Sequence, residues 1–368
     1  MTAGRHWSRL NRRALLGGLA AGAGAALAAP WPGRAEEAPK AGPAKVEAID
    51  IDARPIPHFE RARPEARRFG ALEFRGGLVL TSPSEHFGGW SGLVVEPDGR
   101  GLLAVSDVGT FLAADIVYEG ARPARLARAR LGPLLSSKGV PLASKREQDA
   151  ESLALVEGTL ERGTLLIGFE RLHRIGRFPV RDRLIGAPAG YLPMPADARG
   201  MRENQGVEAI AVLQGGPRKG AIVAFAERLT RGSGYHTGWI WPAGGAGAAQ
   251  RFQLTDVGGF NVTDAAGLPD GSLVVLERYF RWTEGVKMRL RLIEAREVAP
   301  GARAAGRTLF EGDSAYEIDN MEGLAAHQGA GGETILSLIS DDNFNRLLQR
   351  TVFLQFRLAD DGRKSAAR

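Results

Sequence analysis

The chain has 368 residues, 44% of them hydrophobic and 24% charged, which is enough for a sizeable core in one large domain or two smaller ones. It contains no cysteine, which excludes a disulfide scaffold, thiolate chemistry and cysteine-ligated zinc or iron–sulfur centres. The 49 glycines and 20 prolines, set in a chain with few long helical patterns, favour short strands joined by turns and therefore an all-β fold.

From the N-terminus, "SRLNRRALLGGLAAGAGAALAAP" has a charged start, an apolar stretch and then small residues, the pattern of an export signal. Arg12 and Arg13, followed by Leu15, Leu16 and a weakly hydrophobic Gly/Ala run, point to the twin-arginine type and so to a periplasmic or secreted protein. Residues 1–35 are assigned to this signal, with cleavage after Ala28 or Ala35. They carry five arginines and no acid, so the balance falls from 48 against 42 to 43 against 42 once they are removed. A nearly neutral mature chain with arginines scattered among acids argues against nucleic acid as a partner. No later segment approaches the roughly 18 apolar residues of a membrane span, so none is expected after cleavage.

Residues 36–66, rich in Pro, Ala and charge, read as a lead-in containing one strand-like piece, "VEAIDID". From there a plan repeats in "WSGLVVEPDGRGLLAVSD" (90–107), "ESLALVEGTLERGTLLIGFE" (151–170), "VEAIAVLQGGPRKGAIVAFAE" (207–227), "TDAAGLPDGSLVVLE" (263–277) and "MEGLAAHQGAGGETILSLISDD" (321–342). Each unit is an apolar strand, a turn rich in Gly, Pro or Asp, a second apolar strand and then an acid. With Ser91, Ser152, Ala209, Ala265 and Gly323 taken as equivalent, the intervals are 61, 57, 56 and 58 residues. Each interval leaves room for about two more strands, which makes the unit a four-stranded propeller blade. About 333 residues (368 less 35) divided by a period near 57 predicts a six-bladed β-propeller over 67–358, its sixth blade built from 46–80 and closed by "TVFLQFRL" (351–358). A five-bladed ring is the second choice. Residues 359–368 form a polar tail.

A hairpin brings the start of its first strand and the end of its second to one edge. Glu151 with Glu170, Glu208 with Glu227, Asp264 with Glu277, and Glu322 with Asp341 and Asp342, joined by Asp107, are therefore expected around the mouth of the central channel. Clustered carboxylates raise one another's pKa unless cations neutralise them. Two neutralisers fit the residues. Arginines in "ER" pairs and nearby (Arg171, Arg174, Arg228, Arg278, Arg281, Arg346, Arg350) would lock blade to blade. Alternatively, the amides Asn204, Asn261 and Asn320 beside the acids supply oxygens suited to calcium or magnesium. The six histidines show no paired ligand spacing, which disfavours zinc.

Other chemistry is weakly signalled. "GGWSGL" lacks the glycine that would make Ser91 a nucleophile of the G-x-S-x-G type. There is no phosphate-binding glycine loop before a helix and no H-E-x-x-H. His173 beside Glu170 is a candidate general acid or base, or else a packing residue; Trp90 reads as core.

"GGWSGLVVEPDGRGLLAVSD", "DAESLAL", "NQGVEAIAVL", "GFNVTDAAGLPDGSLVVLERYF", "DNMEGLAAH" and "SDDNFNRLLQRTVFLQF" together resemble the phytase-like family named for esterase-like activity. The resemblance implies a propeller and, by analogy with propeller phytases, calcium-assisted hydrolysis of phosphate esters. It leads to an expected exported, monomeric hydrolase of phosphate or other esters. In it Glu151, Asn204, Glu208, Asn261, Asp264, Asn320, Glu322 and Asp341 are candidate metal ligands. Glu151, Glu208 and His173 are candidate catalytic groups, and Arg171, Arg174 and Arg278 would hold an anionic part of the substrate. A non-catalytic propeller binding a cationic ligand or a partner, and a lactonase-like enzyme on the same scaffold, are the alternatives.

Overall fold

The computed structural model describes residues 42–201, 206–226 and 234–359. Residues 1–35, expected to be an export signal, as well as Asn204, Glu227, Arg228 and the residues beyond Ala359, lie outside them. No helix among the described residues is long and apolar enough to cross a membrane.

The described residues form five blades, each built on four antiparallel strands read from the centre outward. Blade one runs Trp90–Val95, Gly101–Ser106, Thr110–Glu119 and Arg122–Pro133. Blade two runs Ala150–Gly158, Arg162–Phe169, Arg174–Arg181 and Leu184–Ile185. Blade three runs Val207–Val212, Ile222–Ala226, Tyr235–Trp241 and Gln250–Thr255, and blade four Asn261–Gly267, Leu273–Arg281, Gly285–Ile293 and Arg307–Gly312. Blade five takes Met321–Gln328, Thr334–Ser340 and Thr351–Leu358 from the end of the chain and Leu72–Thr81 from its beginning.

The ring therefore has five blades and not the six expected from length. Dividing length by period counted the N-terminal strands as a blade of their own. Leu72–Thr81 instead pairs antiparallel with Thr351–Leu358, Thr351 opposite Leu80 and Leu358 opposite Leu72, and completes blade five. The lead-in is spent on outer edges. Glu47–Ala48 adds to blade one, and Asp52–Ile56 adds to blade five beside Leu72–Thr81.

Inner strands are apolar on both faces because both are covered. Trp90–Val95 and Gly101–Ser106 are buried at every position, whereas the outer strand Arg122–Pro133 alternates buried with accessible residues. Five apolar clusters fill the spaces between neighbouring blades: one between blades one and two (Leu103, Phe111, Ile167, Phe178), one between two and three (Leu166, Ile175, Ile222, Trp239), and so on to Leu80, Phe353, Leu93 and Leu102 between five and one. A fully buried Leu, Ile or Phe contributes about 1.5–3 kcal/mol, against about 0–1 kcal/mol for an exposed ion pair. Apolar wedging therefore closes the ring, and ion pairs refine it.

Candidate metal and catalytic site at the channel mouth

The acids sit where they do because of a bulge repeated in all five blades. Between the first and second strand the register slips by one residue, at Trp90/Gly92, Ala150/Ser152, Val207/Ala209, Val262/Asp264 and Met321/Gly323. Two residues then oppose one, and the extra residue leaves the ladder and is re-aimed. The bulged residues are Ser91, Glu151, Glu208, Thr263 and Glu322. A second equivalent position follows the second strand: Asp107, Glu170 and Asp341 each donate their backbone N–H, at 2.9–3.1 Å, to Gly89, Asp149 and Asn320, which stand two residues before the bulge. In blade four the same pairing sets Arg278 opposite Asn261.

Each blade thus presents three positions to the mouth. Blade two fills them with Asp149, Glu151 and Glu170, blade five with Asn320, Glu322 and Asp341, and blade one with Gly89, Ser91 and Asp107. Blade three contributes Gly206 and Glu208, and blade four Asn261, Thr263 and Arg278. Blade four alone among these carries a cation where the others carry an acid.

This register differs from the sequence alignment by one residue in blades one and four, with Gly92 and Asp264, not Ser91 and Ala265, equivalent to Ser152. Because the strand side-chain period is two, a slip of one turns the side chain to the opposite face. Asp264 is therefore not at the rim position. It is fully buried and accepts the backbone N–H of Leu324, on the next blade's inner strand, at 2.6 Å, and that of Ala265 at 2.8 Å. It satisfies a donor on the unpaired edge of blade five, and burial raises its pKa well above the ordinary range despite these two bonds. Glu277 is likewise turned inward, at 0% exposure. It accepts Arg289 Nε at 2.8 Å and Arg291 Nε at 2.7 Å, and also binds Arg291 through a second guanidinium nitrogen.

Blade two holds the densest group. Ligand oxygens of Asp149, Glu151 and Glu170 all lie within 4.8 Å of one another. Asp149 is fully buried and held by Lys145 Nζ at 2.7 Å and Arg171 Nε at 2.9 Å, while Lys145 also reaches Asp107 Oδ2 at 2.8 Å. Glu151 keeps some accessible surface, yet it is pushed well above the usual carboxylate range. The causes are desolvation first, then the charges of Asp149, Glu170 and Asp107, with Lys145 offsetting only part. Asp341 is raised by burial, then by Asp107 and Glu322. Asp107 acts on both, so the blade-two and blade-five groups share one field across blade one.

The other sequence candidates lie as follows. Glu208, partly accessible, occupies the bulge of blade three. Asn261 is partly accessible, whereas Asn320 is 2% exposed, and Arg278 donates to the Asn320 amide oxygen and to Glu322 Oε1 (3.1 Å). Arg174 is placed with its guanidinium 3.8 Å over the Phe169 ring, and it donates to the Glu147 carbonyl at 2.7 Å. All three candidate anion-binding arginines are thus engaged by the protein itself. His173, with φ of 35°, ends the turn after Glu170, and its Nε2 lies 3.2 Å from the Met201 carbonyl. Sequence reasoning missed Asp149 and Lys145 as members of the site. The signal for Asp149 was present, since "DAE" sets two acids two residues apart at a strand entry.

Hard carboxylate oxygens in close array suit calcium or magnesium, and burial together with the neighbouring acids disfavours the charged form of Glu151. The residues present fit such an ion.

The model of the phytase-like family, described as esterase-like activity of phytase, matches residues 85–344. The chain belongs to this family. Among solved structures it is similar to the catalytic domain of a Coprinopsis cinerea GH62 α-L-arabinofuranosidase, at 11% identity over 79% of this chain and 99% of that one, with a TM-score of 0.49. It is also similar to an endo-arabinase from Bacteroides thetaiotaomicron, at 12% identity over 74% and 95% of the two chains and a TM-score of 0.45. No curated protein matches this phytase-like sequence.

Proposed function

We propose that this phytase-like propeller is a metal-assisted hydrolase of phosphate or other esters, working at the carboxylate mouth of the channel. The observation that carries the reading is the close array of Asp149, Glu151 and Glu170, whose ligand oxygens lie within 4.8 Å of one another. Calcium is the favoured ion and would be held by these three side chains. When bound it would polarise the ester oxygen or activate water. Lys145 and Arg171 fix the Asp149 carboxylate in place through separate oxygens. Glu208, at the equivalent bulge of the neighbouring blade, is the candidate proton acceptor for the attacking water. Glu322, Asn320 and Asp341 face the site from blade five, with Arg278 as the nearby cation. The exposed Trp282, Leu347 and Leu348 follow second strands on the same side of the ring as the acids and offer apolar surface to the organic part of an ester. We further take the protein to act as an exported monomer, with its N-terminal segment serving as a twin-arginine signal.

The experiment is a calcium titration by calorimetry on the chain lacking residues 1–35, joined to a panel of phosphate-ester, carboxylic-ester and lactone substrates. Glu151→Gln should lose both calcium binding and turnover, and Glu208→Gln should retain binding while losing turnover by about 100-fold or more. A wild-type protein that neither binds calcium nor turns over any ester overturns the assignment.

A further inference from the structure

Exposed apolar surface is distributed unequally between the two ends of the ring. First strands start at the acid end and second strands finish there, so the connections from second to third strands, and from each fourth strand to the next blade, all lie at that end. Eight large hydrophobic side chains are exposed among the described residues, and every one belongs to these connections or to a strand end beside them. An even scatter would leave about half of them at the other end. There the turns at 96–101, 214–220 and 269–272 consist of Gly, Pro and polar or charged residues. Val140 joins blades one and two, Leu172 lies in blade two, Val257 joins blades three and four, Trp282 lies in blade four, and Leu347 and Leu348 lie in blade five. They are thus spread around the mouth instead of lining one pocket.

This exposure is built into the backbone. In the loop at 341–350, Arg346 donates to the carbonyls of Ser82, Ser84 and Phe87 at 2.8–3.3 Å, and the N–H groups of Leu348 and Gln349 bond the Asn345 carbonyl. Asn343 and Phe344 hold φ of 47° and 52°, a region disfavoured for a side chain as large as Phe. The loop so pinned leaves Leu347 and Leu348 96% and 82% exposed, and Trp282, in the turn between Leu273–Arg281 and Gly285–Ile293, is 66% exposed. Cations accompany these residues: Arg346 precedes Leu347, Arg281 precedes Trp282, Arg171 precedes Leu172, and Lys138 stands two before Val140. Lys138, Arg281 and Arg346 are exposed, whereas Asp149, Glu170, Asp341 and Asp342 of the mouth are buried. An approaching surface meets apolar tips and cations before it meets carboxylates.

We propose that the acid end of the ring binds the surface of an anionic lipid bilayer without crossing it. The leucine and valine side chains would enter the headgroup boundary, Trp282 would sit at headgroup level, and the cations would meet lipid phosphates. A flat surface can touch connections of several blades at once, which a small ligand cannot. A second copy docked face to face would oppose two carboxylate mouths, a like-charge arrangement that is costly.

The test is co-sedimentation of the chain lacking residues 1–35 with mixed phosphatidylglycerol and phosphatidylcholine vesicles, in chelator. It reads neither metal binding nor ester turnover, so its failure and that of the hydrolase reading are separate outcomes. Binding to the mixed vesicles should be at least about fivefold tighter than to phosphatidylcholine alone. Leu347→Ser combined with Leu348→Ser should weaken it by about tenfold or more, and the exposure of both residues means that the fold is kept. Trp282 supplies a second readout. Trp90, Trp239 and Trp241 are buried and the remaining two tryptophans precede residue 36, so vesicles should shift the fluorescence to the blue in wild type and not in Trp282→Phe. No binding to mixed vesicles, binding by the double serine variant equal to wild type, or an unshifted Trp282 each overturns the proposal. A protein that ignores vesicles and dimerises with rising concentration in analytical ultracentrifugation overturns it in favour of a second copy.

Discussion

Blades two and four both carry buried acids near the inner end of their second strand, and the two groups are compensated very differently. In blade four, Glu277 is matched by Arg289 and Arg291, exposed 2% and 1%, which reach it from one face of the third strand because they are two residues apart. The guanidiniums continue to the carbonyls of Val257, Thr255 and Ala305, tying the loop between blades three and four to the sheet. In blade two, three acids converge, Lys145 and Arg171 bind Asp149, and Glu151 remains with its pKa pushed up. An acid count from sequence does not distinguish these cases. The geometry does: Glu277 is clasped by two guanidiniums, whereas Asp149, Glu151 and Glu170 bring their own oxygens within 4.8 Å of one another.

The largest effect should come from opening the lock. Glu277→Leu leaves two buried guanidiniums without their carboxylate and should cost about 3–5 kcal/mol in urea unfolding. Asp264→Ala should come next, at about 1–3 kcal/mol, because the Leu324 N–H loses its acceptor inside the protein. Asp264→Asn, keeping one acceptor oxygen, should cost less.

Blade two should behave in the opposite sense. Glu151 and Asp341 have folded pKa values above their unfolded ones, so the folded state holds more protons than the unfolded. The stability they contribute is fully present below the ordinary carboxylate pKa and is lost as pH rises through the raised values. Through these carboxyls the metal-free protein loses stability as pH rises above the ordinary carboxylate range, against an opposite contribution from buried His327, whose pKa is lowered to about 4, so the effect is read as a difference: Glu151→Gln should gain stability over wild type increasingly toward pH 8. Unfolding curves across pH, with and without calcium, check both. A variant that declines as steeply as wild type would mean that Glu151 is already compensated. The smallest change is expected for Arg278→Met, below about 1 kcal/mol by thermal melting, since its pair with Glu322 is partly exposed.

The repeat made the propeller legible, because apolar hairpins at near-constant spacing survive in sequence whatever the loops do. Blade number was not, since strand Leu72–Thr81 looks the same whether it founds a blade or finishes one. The carboxylate mouth was legible as a pattern but not to the residue. In "NVTDAAG" and "LERYF" the polar residues come in adjacent pairs, Thr263-Asp264 and Glu277-Arg278, so only the bulge decides which member faces the channel. The alternation of Arg289 and Arg291 reads as a solvated strand face, and a buried acid opposite them is invisible without the fold.

The strand that finishes blade five has a consequence for synthesis. Thr351–Leu358 is made after every other described strand, and only then can Leu72–Thr81, made long before, find its neighbour. Until that moment the nascent chain carries two unsatisfied strand edges, a hazard for aggregation. A nonsense codon just before residue 351 would therefore remove all eight residues of this strand together with everything after it, and with them the latch on the whole ring.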